Sequence, residues 1–393
     1  MALAPDDEIP VALLLIGTNG DVKAFLDLFG NLPRFKPTVF TNEEHETFVQ
    51  KRGFEFVNIF RFSSLADSNP QWSKIMGVEF YRVWTSHLLS DAVLDNTVDL
   101  IRSAHKEKQF RAIFTQNSSI GVEYLAMGDK LRIPLIKMEV CEAAPNLRNH
   151  PLLNTSLVPA FLMPMLWRVS SFFMHKLLHD CDWATACERH GWPIESAAES
   201  WQRLVNSPIL IGNDLAYANQ SDFEAIMHNV MVTPRWGLEE VVDPLVEKNV
   251  IAFLEAHSGK VGLVCFGSME LHGEDAAKLG DFLDGCGPVI VQKGTCPLPN
   301  TAWRDVATGK SNVLFLDQHV PHAWLLPKAE WFVCHGGVGT MHAALRAQVP
   351  TIIVPFLGDQ IINLSELVRR GRELCGDSSP DSRSILKYES EFK

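Results

Sequence analysis

The chain has 393 residues, 46% of them apolar and 21% charged, with a formal net charge of −12. That length buries a large core but exceeds one ordinary domain, so two domains of similar size are expected. The acidic balance repels phosphate backbones over most of the surface and disfavours a nucleic-acid partner.

The N-terminal M-A-L-A-P-D-D-E-I-P is acidic ahead of its short apolar run, unlike the basic start of a secretory signal, and this predicts a cytoplasmic protein. Short apolar runs follow at V-A-L-L-L-I (11–16), T-V-F-T (38–41), E-F-V-N-I (55–59), A-I-F (112–114) and P-L-I-K-M (134–138). Their alternation with longer amphipathic stretches predicts a parallel α/β sheet. After the first run, Val22, Phe25, Leu26, Phe29 and Leu32 keep helical spacing, and Gly30 with Pro33 supplies the stop. The unit reads strand, glycine turn, helix.

Residues 146–203 interrupt this alternation with a stretch rich in Leu, Met, Phe and Trp, which predicts a helical insertion. Its most apolar run, L-V-P-A-F-L-M-P-M-L-W at 157–167, is broken by two prolines and falls short of the roughly 20 residues of a membrane span. Any membrane contact would therefore be peripheral. Core packing accounts for the composition, but an aromatic and Met-rich wall also suits an apolar ligand, for which Met138, Phe161, Met165 and Trp167 are the candidates.

The segment T-P-R-W-G-L-E-E-V-V-D-P at 233–244 has the prolines, glycine and charges of a linker and places a boundary near residue 240. The expected domains are 1–240 and 241–393. Strand-like runs then resume at 261–268, 288, 312, 331 and 351, forming a second α/β unit. The eight cysteines show no C-x-x-C pair and read as buried free thiols of a reducing compartment. Metal-ligand spacings such as H-E-x-x-H or D-x-D are absent, so no metal is expected.

Most of the chemistry gathers at 331–360. The strand W-F-V-C runs directly into H-G-G-V-G-T and a helix, a turn that lets phosphate approach backbone N–H groups at the positive end of the helix dipole. His335 and Thr340 add donors. One strand later, past T-I-I-V-P-F, Asp359 and Gln360 offer the carboxylate and amide that suit sugar hydroxyls, beyond the strand's carboxyl end, where such sheets bind ligands.

Residues 315–371 resemble the donor-binding signature of family 1 glycosyltransferases, especially the sterol and macrolide branches, through D-Q-H-V-P-H-A-W-L-L-P-K-A-E-W-F-V-C-H-G-G-V-G-T and the P-F-x-x-D-Q ending. The opening I-G-T-N-G-D-V-K-A-F-L-D-L at 16–28 is similar to the G-S-R-G-D-V-Q-P-F-x-A-L of sterol-type members. F-V-Q-K-R-G-F-E-F-V-N-I, E-R-H-G-W-P and V-T-P-R-W-G extend the likeness over most of the chain.

The resemblance implies a GT-B fold, α/β with two tandem Rossmann-like domains facing each other across a cleft. It implies transfer of a sugar, glucose by family precedent, from a UDP-sugar to a hydroxyl of an apolar molecule of sterol, terpenoid, polyketide or phenol type. The anomeric centre would invert, with UDP-sugar as co-substrate and neither cofactor nor metal required. Ser268, His335, Gly337, Gly339 and Thr340 would hold the diphosphate, Asp359 and Gln360 the sugar, and His319 and Val320 the base region. Asp21 would be the general base.

By its position alone, Asp21 suits a helix N-cap as well, a role typically contributing ~1 kcal/mol. Two other readings stay open. One is a relative that binds nucleotide sugar or an apolar ligand without turnover, suggested by Asn19 and Lys23-Ala24 around Asp21 and by the short tail after Gly371. The other is a nicotinamide-dependent oxidoreductase, for which G-T-N-G-D-V lacks the expected G-x-G-x-x-G.

Overall fold

The computed structural model describes residues 7–17, 19–61, 77–116, 127–140, 144–147, 158–179, 181, 183–212, 219–234, 236–237, 242–267, 269, 273–293, 302–307, 309–318, 320–356, 360 and 363–364. Backbone contacts divide the chain into two units, Met1–Leu238 and Glu239–Lys393.

The first unit holds a seven-stranded sheet in the order β3-β2-β1-β4-β5-β6-β7. Its strands are β1 (Ile9–Leu14), β2 (Phe35–Thr41), β3 (Glu55–Asn58), β4 (Ala112–Gln116), β5 (Leu135–Glu139), β6 (Ile209–Gly212) and β7 (Val230–Thr233). Every pairing is parallel, with Leu13 of β1 in register with Val39 on one side and Phe114 on the other.

Parallel strands need crossovers, which cover both faces of the sheet and leave its central strands largely apolar. β1 shows the result. Ala12, Leu14 and Ile16 join Phe40 and Ile113 in a core with Leu88, Val98, Ile101, Trp183 and Trp192. Val11, Leu13 and Leu15 point the other way, to Val39, Phe114 and the Val22, Phe25, Leu26 and Phe29 stripe of the Asn19–Gly30 helix. Each such large side chain contributes about 1.5–3 kcal/mol by leaving water.

The second unit repeats the design with β8 (Gly262–Cys265), β9 (Val289–Gln292), β10 (Val313–Leu316), β11 (Trp331–Cys334) and β12 (Thr351–Ile353), ordered β10-β9-β8-β11-β12 and all parallel. Leu263, Cys265, Phe332 and Cys334 face one core, and Val264, Val289, Val291 and Val333 the other. In both sheets strand order reverses beside the first strand, between β1 and β4 and between β8 and β11. Crevices at such reversals, outside the carboxyl ends of the strands, are where open α/β sheets bind ligands.

Three differences from the sequence reading have local causes. β6 and β7 add two strands to the first sheet; I-L-I-G and V-M-V-T are four-residue runs that follow helices, too short to show a period. The expected linker is fixed at its start, because Trp236 is buried against Phe25 at 5.6 Å between ring centroids and donates through Nε1 to Thr233 Oγ1 at 2.8 Å. At its end, Asp243 caps the Pro244–Ala256 helix. The stretch read as an insertion is the β5 to β6 crossover, with helices at Met163–His179, Trp183–His190 and Ala197–Asn206.

That crossover explains a fully buried cation. Leu204, in the last turn of the Ala197–Asn206 helix, would normally bond to the N–H four residues on, but Pro208 has none. Lys137 Nζ of β5 donates to the Leu204 carbonyl instead, at 3.1 Å, and places its charge at the negative end of the helix. Burial pulls the Lys137 pKa down to about 7, partly offset by Glu139.

Between that value and the unfolded 10.5, the unfolded chain binds more protons than the folded one, so this group makes stability rise with pH across the window. Lys137→Met should lower the slope of unfolding free energy between pH 7 and 9 by up to about 1.4 kcal/mol per pH unit, measured by urea denaturation. Equal slopes for the variant and the parent would refute the burial argument.

Candidate functional site

At the reversal in the second sheet, β8 ends in Phe266-Gly267 and β11 in His335-Gly336-Gly337, so the two turns lie side by side. Gly267 and Gly336 adopt φ of +60° and +82°, which side-chain-bearing residues rarely take up. A Cβ on Gly267 or Gly337 would also collide with the His335 imidazole, and one on Gly336 with Ile353. The glycines therefore let the ring lie against backbone.

His335 is buried, and its Nδ1 finds no hydrogen-bond partner among the described residues. Burial lowers its pKa to about 4, so at neutral pH it is an uncharged donor or acceptor. The helix Val338–Ala347 begins just beyond, with Gly337 as N-cap, a residue that has no side chain to cap the first turn. A first turn without a capping side chain offers N–H groups to an anion. Thr340 lies in that turn and is buried, while Gly337 and Gly339 are partly exposed.

The surrounding loops are tied down by buried amides. Asn363 Nδ2 donates to the Gly336 carbonyl at 2.9 Å and fixes the orientation of that peptide. Gln292, the last residue of β9, donates to the Val320 carbonyl at 3.2 Å, while the Val320 side chain enters the core. Gln360 is buried; its Oε1 accepts from Phe356 N–H at 2.7 Å and its Nε2 approaches Met269 Sδ at 3.4 Å. Ser268, His319 and Asp359 lie outside the described residues.

Cys265 and Cys334 stand in register one residue before these turns. Burial pushes their thiols up to about 11 and 12, so both stay protonated and neither serves as a nucleophile. The described cysteines are free. No group of three potential metal ligands occurs among the described residues.

A second braced turn stands at the reversal of the first sheet. The Ile16 N–H donates to Gln116 Oε1 at 2.6 Å, Thr115 Oγ1 donates to the Leu14 carbonyl at 3.0 Å, and the buried His45 bonds through Nε2 to the Gly17 carbonyl at 2.9 Å. A carbonyl can only accept, so the proton of that imidazole sits on Nε2. The chain then enters the Asn19–Gly30 helix. Asp21 is its third residue, which corrects the N-cap reading: the cap precedes Asn19, and Asp21 lies inside the first turn. Its side chain is outside the described residues.

Residues 241–377 match the family model for UDP-glucoronosyl and UDP-glucosyl transferase. The second unit is a domain of this UDP-glycosyltransferase family. The chain is 25% identical over 382 residues to a terpene cyclase–glycosyl transferase fusion protein of Humicola fuscoatra, covering 89% of this chain and 28% of that protein. It is 26% identical over 402 residues to a sterol 3-beta-glucosyltransferase of Pichia angusta, covering 96% and 30%. It thus spans under a third of the length of these curated relatives. Arabidopsis thaliana UGT89C1, solved with UDP, superposes with a TM-score of 0.59 at 13% identity, covering 98% of this chain and 94% of that one. That likeness establishes the GT-B fold, and the relatives agree with the sterol-branch resemblance of the motifs.

In the UDP-glycosyltransferase domain, Gly267, Gln292 and Asn363 are structural partners of the turn that motif reading passed over; in the first unit, so are Gln116 and His45. The acceptor candidates are not gathered together. Met138 is buried in the core with Phe25, Phe114 and Trp236, Trp167 packs with Trp201, Val205 and Ile226 and donates to the Asn146 carbonyl at 3.0 Å, and Phe161 and Met165 face outward.

Gly267→Ala should destabilise the UDP-glycosyltransferase domain by about 1–3 kcal/mol, since it combines positive φ with displacement of the His335 ring. Gly287→Ala, where a Cβ meets nothing within 4 Å, should change stability by less than about 0.5 kcal/mol. Denaturant titration of both variants checks the contrast.

Proposed function

We propose that the chain catalyses transfer of a hexose, glucose in the first instance, from a UDP-sugar to a hydroxyl of an apolar small molecule of sterol, terpenoid or phenol type. The observation that carries this reading is the turn at His335, where a neutral buried imidazole whose Nδ1 has no partner among the described residues adjoins a helix with a glycine N-cap, inside a UDP-glycosyltransferase domain. The family match favours this over the nicotinamide reading. The names of the curated relatives, sterol 3-beta-glucosyltransferase and terpene cyclase–glycosyl transferase, support the acceptor class.

In this mechanism the Val338–Thr340 N–H groups, His335 and the Thr340 hydroxyl receive the diphosphate and stabilise the charge that develops on it as the glycosidic bond breaks. Fixed donors of this kind usually supply the largest share of catalysis. The acceptor oxygen attacks the anomeric carbon from the opposite side and inverts it. Asp21 takes the hydroxyl proton as the new bond forms, and Asp359 with Gln360 holds the sugar hydroxyls. The braced Leu15–Gly17 turn supports this role, since it fixes the start of the helix that carries Asp21.

Asp21→Asn should reduce transfer by about 10²–10⁴-fold, while UDP-glucose affinity stays within about twofold. Incubation of the parent with UDP-glucose and a library of apolar alcohols and phenols, read by mass spectrometry, supplies the acceptor. Donor binding without any glycosylated product would favour the non-catalytic binder.

His335 should also give donor binding a pH signature. Its pKa near 4 must rise when a phosphate anion is placed beside it, so binding takes up a proton. Affinity should therefore strengthen as pH falls from 7.5 to 5.5, by up to about tenfold. UDP-glucose is the right probe, since both of its phosphates are esterified and stay ionised over this range. His335→Gln should bind more weakly and lose the pH-dependent part, by isothermal titration; an unchanged affinity and pH profile would count against the phosphate assignment.

A further inference from the structure

Among the described residues, the helix Met163–His179 is held to the first unit chiefly through the face that carries Met163 and Trp167. Met163 and Trp167 pack with Trp201, Val205 and Ile226, and His175 Nδ1 shares a hydrogen bond with Ser200 Oγ at 3.2 Å. The opposite face is apolar and open: Met165, Val169, Phe172 and Phe173, with Phe161 in the preceding turn, are 47–78% exposed. At 100° per residue, Met165, Arg168, Val169, Phe172, Phe173 and Lys176 fall within an arc of about 140°. Arg168 and Lys176 are exposed among these rings.

Charge narrows the choice of occupant. The chain has 47 acidic residues and a net charge of −12, yet no Asp or Glu occurs between Glu142 and Asp180. The exposed face therefore joins large apolar side chains to basic ones, with no acidic residue on its helix. A soluble protein seldom leaves a contiguous apolar patch of this kind uncovered. At 17 residues the helix is also too short to span a bilayer, and no described helix is long and apolar enough to do so.

We propose that this face docks on an anionic lipid surface, with Phe161, Met165, Phe172 and Phe173 entering the headgroup and upper acyl region while Arg168 and Lys176 meet lipid phosphates. A convex single-helix face with basic residues among its aromatic rings matches the interfacial mode of membrane binding. The proposal goes beyond the glycosyltransfer reading and does not require it, because it is read out without donor or acceptor.

The test is flotation of the purified chain with phosphatidylcholine vesicles and with vesicles containing roughly one third phosphatidylserine, at low and high salt. The parent should float with the anionic vesicles, and high salt should weaken the association. F172S/F173S should lower the partition coefficient at least about tenfold. R168E/K176E should abolish the preference for phosphatidylserine. These positions are exposed, so circular dichroism and the unfolding midpoint should stay those of the parent.

Absence of vesicle binding would overturn the proposal. So would equal binding to neutral and anionic vesicles, or a dimer in light scattering that F172S/F173S dissociates, which would assign the face to a second copy. Loss of transfer to a water-soluble acceptor in F172S/F173S, with vesicle binding intact, would assign it to acceptor recognition instead.

Discussion

Burial of each parallel sheet on both faces is the constraint from which the site follows. Strands covered on two sides take a polar side chain along their length only where a partner awaits it, as the Leu204 carbonyl awaits Lys137, so most functional groups collect where the strands end. Two reversals of strand order make two such places: Ile16-Gly17 after β1 and Phe266-Gly267 beside His335-Gly336-Gly337 after β8 and β11. The second is shaped by exclusion. Because Gly267 and Gly337 have no Cβ, an imidazole occupies the space against their backbone, and burial there keeps it neutral.

Neutrality matters for the chemistry. A permanently charged residue at this point would bear its full desolvation cost whenever the site is empty. An imidazole with a pKa near 4 avoids that cost at neutral pH and gains a proton only where an anion stabilises it. Lys137 is the contrasting case: it is buried more completely, which lowers its pKa to about 7, but the Leu204 carbonyl and Glu139 favour its charged form. Both groups are desolvated. Lys137 already has a partner from its own fold, whereas Nδ1 of His335 has none among the described residues.

The central strands were legible because burial on two faces writes an uninterrupted apolar run, as V-A-L-L-L-I and W-F-V-C do. β6 and β7 were not: I-L-I-G and V-M-V-T are as short as W-F-V-C but adjoin no glycine-rich motif, and β7 leaves Met231 exposed at the sheet's edge. The glycine turn could be read in its chemical order, but its supports could not. Gln116, Gln292, His45 and Asn363 are single polar residues whose partners lie 100, 28, 28 and 27 positions away. One signal was present: Gln116 and Gln292 both close an apolar strand, a position where an amide is buried yet can reach the neighbouring loop. The cap role stayed open for Asp21 beside the base role because the glycine turn suggests a helix beginning after Gly20, whereas Asn19 and Gly20 already belong to it.

Net charge illustrates how a global number and a local surface part company. A value of −12 disfavours nucleic acid as a statement about the average field. Under physiological salt, however, exposed charges act over only about 8 Å, so a docking surface responds to its nearest neighbours. Around Phe172 those neighbours include Arg168 and Lys176, on a helix with no acidic residue. The Leu, Met, Phe and Trp content of this stretch, ambiguous in the sequence between core and ligand wall, resolves into two faces of one helix. Trp167 and Met163 bury theirs against the first unit, while the phenylalanines remain outside, where only contact with something other than the described fold would remove them from water.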